Sequence, residues 1–307
     1  MIPRERAAAR RALDAVLLLD KPTGFTSNAA LQRAKRLLRA EKAGHAGTLD
    51  PLASGLLPVL LGEATKFADG LLGADKEYLA TLQLGTATTT GDLEGEIIER
   101  RPVALDAARI ESALARFRGP VEQVPPMHSA LKRGGQPLYR LARQGRSVER
   151  APRRVSIHSL ELLGWNGDSL EIRVCCSKGT YIRSLASDLG QALGCGACVA
   201  ALRRTRIAGF TVGQAVTLDA LERCPDPERD AWLLAADSLL VGLPRIDLAA
   251  ALAQRFRHGQ AVRPEVTVRG RCRVYAAGDA LLGVGMIETD GQLRPLRLVA
   301  ARPAASG

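Results

Sequence analysis

Residues 44–55 read Gly-His-Ala-Gly-Thr-Leu-Asp-Pro-Leu-Ala-Ser-Gly. They set one carboxylate, Asp50, in a backbone that restricts it. Pro51 fixes its own φ and disfavours the helical region for the residue before it, so Asp50 is expected in extended backbone. Gly44, Gly47 and Gly55 permit tight turns and the close approach of a second chain segment. His45, Thr48 and Ser54 complete a small polar cluster, and the apolar run Leu56–Leu61 would anchor the loop in a core. An ionised carboxylate can serve as nucleophile or base when a neighbouring cation keeps its pKa low and fixes its orientation. The string Ser177-Lys178-Gly179-Thr180-Tyr181-Ile182-Arg183 offers such a cation at a strand-to-helix junction. Taken singly, an Asp-Pro pair is a common turn and an arginine at a helix start is an ordinary surface residue.

The full strings are more specific than their parts. Residues 44–55 resemble the catalytic loop of the TruB family of pseudouridine synthases, Gly-His-x-Gly-x-Leu-Asp-Pro-x-Ala-x-Gly, at every fixed position, and residues 177–183 resemble that family's second hallmark. The resemblance covers residues 15–240 most strongly. It implies isomerisation of the T-loop uridine at tRNA position 55, with the base flipped out of its stack and Asp50 as the catalytic aspartate. It further implies that Arg183 pairs with Asp50 and that Tyr181 lies in the substrate pocket. Tyr78, in Lys76-Glu77-Tyr78, would stack on the uracil, and Leu202 would form an apolar wall. His45 would help hold the RNA loop, and Lys21, in Lys21-Pro22, would brace the site. Arg203 and Arg204 are expected to meet phosphate. The reaction neither gains nor loses atoms, so no cofactor is expected. The implied partner is tRNA, bound through its T-arm by a cytoplasmic monomer; Leu52–Pro58 is similar to the bacterial branch that works without a guide RNA. Two positions depart from the family pattern: Thr89 stands where an Asp is usual, and His128 where Tyr is frequent.

The elements that must position these residues follow from periodicity. Ala15–Leu19 reads as a buried strand, and Ser27 as the cap of a helix with Leu31, Ala34 and Leu38 on one face. Gly62–Lys66 opens a short helix. Lys76–Leu84 alternates as a strand with Tyr78, Ala80, Leu82 and Leu84 on one face. Gly85–Gly95 is a Thr- and Gly-rich loop. Leu105–Arg118 is helical by spacing and stops at Gly119-Pro120, and Gln136–Gln144 is a shorter helix. Val155–Leu163 and Leu170–Val174 form a hairpin through Asn166-Gly167. Tyr181–Leu193 is a helix ended by Gly194. Trp232–Leu240 reads as another helix, and Ala249–Arg257 as one more. Strand-like Arg271–Ala277 and Ala280–Met286 close the pattern.

These elements predict an α+β chain: a mixed or antiparallel-sheet pseudouridine synthase catalytic domain with a small C-terminal β-rich domain. The C-terminal segment resembles a PUA domain, an RNA-binding module. The expected divisions are a basic arm at 1–14, the catalytic domain at 15–241 and the PUA-like domain at 242–304.

Composition bounds the rest. The chain has 307 residues, 46% hydrophobic, with a net charge of +11. That balance favours a polyanionic partner, although lysine supplies only seven of the 43 basic residues and the arginine excess also has a compositional explanation. No apolar run approaches the ~18 residues needed to span a membrane. Cys195-Gly-Ala-Cys198 lacks a second pair at zinc-site spacing, so no metal is expected, and the six cysteines read as reduced thiols. A competing class is an RNA-binding module that folds tRNA without catalysis. Asp50→Ala separates the two, since phosphate contacts dominate RNA affinity and survive it.

Overall fold

The computed structural model describes residues 9–129 and 131–300. Most of the expected basic arm, residues 1–8, lies outside the described residues, as does the chain beyond 300.

Strand β1 (Ala15–Lys21) is buried along almost its whole length, as its unbroken apolar sequence demands of a strand covered on both faces. Helix α1 (Ser27–Leu37) follows, buried through Ala30, Leu31 and Ala34. Its cap is Thr26, whose hydroxyl accepts from the Ala29 N–H, and not Ser27. Ser27 instead turns inward and is 2% exposed. Strand β2 (Ala43–His45) and strand β3 (Ala53–Leu61) flank the Asp50 loop and pair antiparallel. A 3₁₀ turn (Gly62–Phe67) and helix α2 (Ala68–Gly73) lead into strand β4 (Lys76–Leu84).

The main sheet runs in the order Val216–Thr217, β1, β3, Ala197–Ile207, β4, Ser169–Cys176, Arg153–Asn166, Gly119–Gln123. It is mixed: β3 and Ala197–Ile207 are parallel, as are β1 and Val216–Thr217, and the other neighbours along this path are antiparallel. The β4 register puts Tyr78, Ala80, Leu82 and Leu84 on the buried side, as period two requires. The helix Ile182–Leu193 buries Ile182, Leu185, Ala186 and Leu189 in the same core and ends at left-handed Gly194.

Two expected helices differ. The helix from Leu105 is shorter, Ala107–Ala115, capped by Asp106, and Gly119–Gln123 is a strand. Trp232–Leu240 is not an α-helix: Leu233–Ala235 pairs antiparallel with β1, and a 3₁₀ turn covers Ala236–Leu240. The open edge of β1 outweighs helical periodicity there, because strand pairing satisfies backbone groups that would otherwise be orphaned.

A second sheet (Arg245–Asp247, Gly270–Ala276, Ala280–Ile287, Leu293–Leu298) packs the helix Ala250–Arg257 over its own core of Ile246, Phe256, Val274 and Leu282. It joins the main body through Phe67, Leu240 and Val284. Lys66 Nζ donates to the Leu298 carbonyl at 2.8 Å, and the Ala300 N–H donates to Glu63 at 2.6 Å.

Candidate active site

The Asp50 loop is held from three sides. Ser27 Oγ donates to the Leu49 carbonyl at 2.9 Å and accepts from the Leu49 N–H at 2.7 Å. The Gly24 N–H donates to the Pro51 carbonyl at 2.8 Å, and the Ala53 N–H to the Asp50 carbonyl at 3.1 Å. Arg204, 1% exposed, donates through Nε to Leu56 O at 2.8 Å and through its terminal nitrogen to Gly47 O at 2.9 Å. Gly55 sits at φ +100 against the same residue, where a Cβ would lie 2.3 Å from the Arg204 carbonyl oxygen. The close parallel pairing of β3 with Ala197–Ile207 thus requires glycine at this position.

Arg204 is therefore a framework residue, which corrects its expected role at phosphate. Its carbonyl partners are Gly47 in the loop and Leu56 in β3, and its side chain, although almost fully buried, also lines the cavity that Asp50 faces. The period of its strand carries the signal: Leu202 and Arg204 point to one face, buried, while Arg203 between them is half-buried and ion-paired with Asp20 at 2.7 Å.

Asp50 faces a cavity of about 270 Å³ lined by Tyr78, Tyr181, Arg183, Leu202, Lys76 and Leu72 among others. Arg183, at the start of the helix Ile182–Leu193, lies 2.9 Å from Asp50 Oδ2. Its fork also reaches the Thr90 carbonyl at 2.9 Å, the His128 carbonyl at 2.7 Å and the Asp92 carboxylate at 3.6 Å. Asp92 is 3% exposed and accepts from Thr90 Oγ1 and, at 3.1 Å, from the Glu94 N–H. His128 thus contributes its main chain to this network, for which the side-chain departure from the family pattern is immaterial. Thr89 closes its loop on Glu96, with its Oγ1 accepting the Glu96 N–H at 3.1 Å.

Burial raises the Asp50 pKa, against the lowering charge of Arg183; Asp92 adds to the rise. The cation alone predicts a low pKa, and the sign is reversed because the cavity walls strip water from the carboxylate. The side chain keeps 40% exposure, all the same, so the cavity gives it a face for a ligand. Burial also raises the hydroxyl pKa of Tyr78 and of Tyr181. The Tyr181 peptide is clamped by Gln123, whose Oε1 accepts its N–H at 3.1 Å.

Of the residues singled out from sequence, Asp50, Tyr78, Tyr181, Arg183, Leu202 and Arg204 meet around this one cavity; Lys21, His45 and Arg203 stand outside its lining. Lys21 is fully buried, and its Nζ donates to the carbonyls of Pro22 (2.9 Å) and Phe25 (2.6 Å), with the Pro51 carbonyl at 3.5 Å. Burial pushes its pKa down to about 8. His45 is half-buried with an unpartnered Nδ1, and burial followed by the Arg204 charge lowers its pKa.

Lys76 was missed as a site residue. It is 7% exposed, lines the cavity, and donates to the carbonyls of Leu71, Leu72 and Ala74 at 2.6–3.1 Å, closing the end of α2. Burial lowers its pKa to about 8. Its place on the buried phase of β4, two residues before Tyr78, was the available signal. Among the described residues no group of His, Cys, Asp and Glu is arranged to hold a metal, and no helix is long and apolar enough to cross a membrane.

Known families match most of the length of the chain. Residues 35–182 match the model described as TruB family pseudouridylate synthase (N terminal domain). Residues 183–240 match the tRNA pseudouridylate synthase B C-terminal domain, and 244–299 the pseudouridine synthase II TruB C-terminal model. A protein of Burkholderia mallei (strain ATCC 23344) named tRNA pseudouridine synthase B is 56% identical, covering 97% of both chains. One of the same name from Azoarcus sp. (strain BH72) is 52% identical, covering 97% of this chain and 99% of its own. Among solved structures, an archaeal box H/ACA sRNP Nop10-Cbf5 complex contains a chain with TM-score 0.69 and 26% identity, covering 94% of this chain and 86% of that one.

Proposed function

The chain belongs to the TruB family of pseudouridylate synthases, and from that membership we propose that it converts the T-loop uridine at position 55 of tRNA to pseudouridine, with Asp50 as its catalytic carboxylate. The observation that carries this reading is the 2.9 Å pair between Asp50 and the buried Arg183 at a cavity otherwise walled by Tyr78, Tyr181 and Leu202. A cavity of about 270 Å³ is at the small end of ligand pockets, which run from roughly 300 Å³ upward. It suits one extruded base.

The reaction breaks the C1′–N1 bond, turns the uracil, and rejoins it to C1′ through C5; C5 loses its proton and N1 gains one, directly or by exchange with solvent. Extruding the base costs a few kcal/mol, recovered by contacts in the pocket. Tyr78 stacks on the uracil, contributing on the order of 1–3 kcal/mol, and Leu202 and Tyr181 close the remaining sides. Arg183 orients Asp50 and favours its ionised form. Lys21 braces the turn that follows Asp50 through the carbonyls of Pro22, Phe25 and Pro51. His45, its ring held neutral by burial, meets the RNA loop beside the cavity.

The same reading divides the chain into a basic arm (1–14), a catalytic domain (15–241) and a PUA-like RNA-binding domain (242–304). The separate core of the C-terminal sheet and the family matches that part between 240 and 244 support this division. The enzyme acts as a cytoplasmic monomer on bare tRNA without a guide RNA. Relatives named for tRNA are 52–56% identical, whereas the chains from the H/ACA and Cbf5-Nop10-Gar1 complexes are 25–27% identical.

Incubating the purified chain with an unmodified tRNA transcript, and mapping pseudouridine by carbodiimide modification and primer extension, tests the proposal. One new stop at the T-loop uridine is expected, absent with Asp50→Ala. Clear tRNA binding with no product would leave an RNA-folding protein or a guide-dependent enzyme instead.

A further inference from the structure

A second basic site lies at the far end of α1 from the catalytic loop. A groove of about 320 Å³ is lined by Arg10, Gln32, Lys35, Arg36, Arg39 and Ala40, and no acidic side chain lines it. The cations around it are partitioned. Arg11 pairs with Asp230, Arg33 with Glu222, and Arg39 with Asp226 at 2.9 Å, and Arg229 donates to the Leu37 carbonyl and to Asp226. The acidic residues of the segment 222–230 nearest this face are thus spent on four arginines. Arg10, Lys35 and Arg36 have no acidic partner among the described residues, and Arg10 and Arg36 are exposed.

Lys35 and Arg36 of the last helix turn and Arg10 from the segment preceding β1 line the same groove, and their like charges repel one another. Part of this cost is met by the helix dipole, which favours cations at a C-terminus but is screened and weak at exposed positions. A polyanion with repeating charge would neutralise all three. Resting on the tRNA reading above, we propose that this groove binds the sugar–phosphate backbone of the substrate tRNA outside the nucleotide held in the cavity. Ser27, at the start of α1, touches the catalytic loop at Leu49. The last turn of α1 lies some ten residues on, about 15 Å along the axis at 1.5 Å per residue. That distance is reached by nucleotides flanking the extruded one or by another arm of the folded tRNA, and both present the same phosphates.

The test compares the parent chain with R10Q/K35Q/R36Q and with the charge-retaining R10K/K35R/R36K, measuring Kd across a salt series for a full-length tRNA transcript and for an isolated T-arm hairpin. Each neutralised phosphate contributes about 0.7–0.9 to the slope of log K against log salt. The glutamine variant is expected to lose about 2 from that slope and to bind at least tenfold more weakly at low salt, while the charge-retaining variant keeps the parent's slope. A loss with both RNAs places the phosphates in the T-arm; a loss with full-length tRNA alone places them elsewhere in the molecule. A parent-like slope for the glutamine variant on both RNAs overturns the inference, while the parent's modification of tRNA would still stand. A parent that neither binds nor modifies tRNA overturns the functional reading and this inference with it. Melting curves for the two variants separate a lost contact from a lost fold.

Discussion

Asp50 and Arg183 meet at 2.9 Å across a chain separation of more than 130 residues, and they differ sharply in exposure: the arginine side chain is 6% exposed and the carboxylate 40%. The buried partner is the fixed one. Arg183 is anchored by two carbonyls and Asp92 whatever Asp50 does, so the carboxylate is oriented by a cation that the protein interior already holds. Asp50→Asn should therefore abolish isomerisation and leave tRNA binding within a fewfold of the parent. Burial raises the Asp50 pKa, so the folded state penalises its ionised form. The asparagine variant should accordingly melt at or above the parent at neutral pH. The gap should narrow on acidification, as the parent's carboxyl takes up its proton. A large fall in Tm would mean that Asp50 is a structural residue.

Arg183 and Asp92 make the complementary prediction. Asp92 is 3% exposed, and removing its cation leaves a buried, uncompensated charge. Arg183→Met should cost about 3–5 kcal/mol, measured by urea unfolding, together with all measurable activity. Arg183→Met/Asp92→Asn should regain a substantial part of that stability and none of the activity. Equal stability of the single and double variants would show that Asp92 is carried by Thr90 and the Glu94 N–H alone.

Much of this constellation was legible because it lies in two short strings whose residue types are unusual together. Six of the nine residues given a role from sequence line one cavity, Arg204 among them, and the β4 alternation that buries Tyr78 could be read directly. What was not legible is how the interior treats its cations. Arg204 and Lys76 look like surface residues in their local sequence. Both are buried because backbone carbonyls, brought in by β3 and by the end of α2, take the place of water around them. The direction of the Asp50 pKa was unreadable for the same reason, since the walls that desolvate it come from β4, the strand Ala197–Ile207 and the helix after Cys176. The strand at Leu233–Ala235 depended on the free edge of β1, which no local pattern records.

The pH dependence follows from those signs. Asp50 must be ionised to act as nucleophile or base, and its pKa is raised by burial. The acid limb of kcat/KM should therefore fall above the ordinary aspartate range near 4. Weakening the cation without removing it, by Arg183→Lys, should move the limb to higher pH, because a single ammonium cannot reach Asp50, Asp92 and the two carbonyls together. A limb that stays put in the lysine variant would assign it to another group. The profile is read from single-turnover rates on tRNA between pH 4 and 8.

Gly55 offers a test of the framework that avoids the chemistry. Its φ of +100 and the 2.3 Å approach of an added Cβ to the Arg204 carbonyl leave no room for alanine, since backbone must shift on both strands. Gly55→Ala should lose more than about 2 kcal/mol of stability, from strain and from the broken β3 register. Gly242→Ala, where an added Cβ meets nothing within 4 Å, should change Tm by no more than a degree or two. Similar melting of the two variants would contradict the close parallel packing that holds the Asp50 loop.

Tyr78 carries two separable functions, a ring and a hydroxyl. The ring is 9% exposed on the buried face of β4 and lines the cavity, so Tyr78→Phe keeps both packing and stacking surface. Tyr78→Leu removes the π-face and should weaken retention of the flipped base by the ~1–3 kcal/mol of a base–aromatic stack. The hydroxyl pKa is raised by burial against the charge of Arg204, so the group enters the reaction protonated and can donate. If it moves a proton during rejoining through C5, Tyr78→Phe should lower kcat by about 10²–10⁴ with tRNA affinity unchanged. A phenylalanine variant with near-parent kcat would confine Tyr78 to stacking and return the proton route to Asp50 and solvent. Single-turnover rates and Kd, measured side by side for the two variants, separate these outcomes.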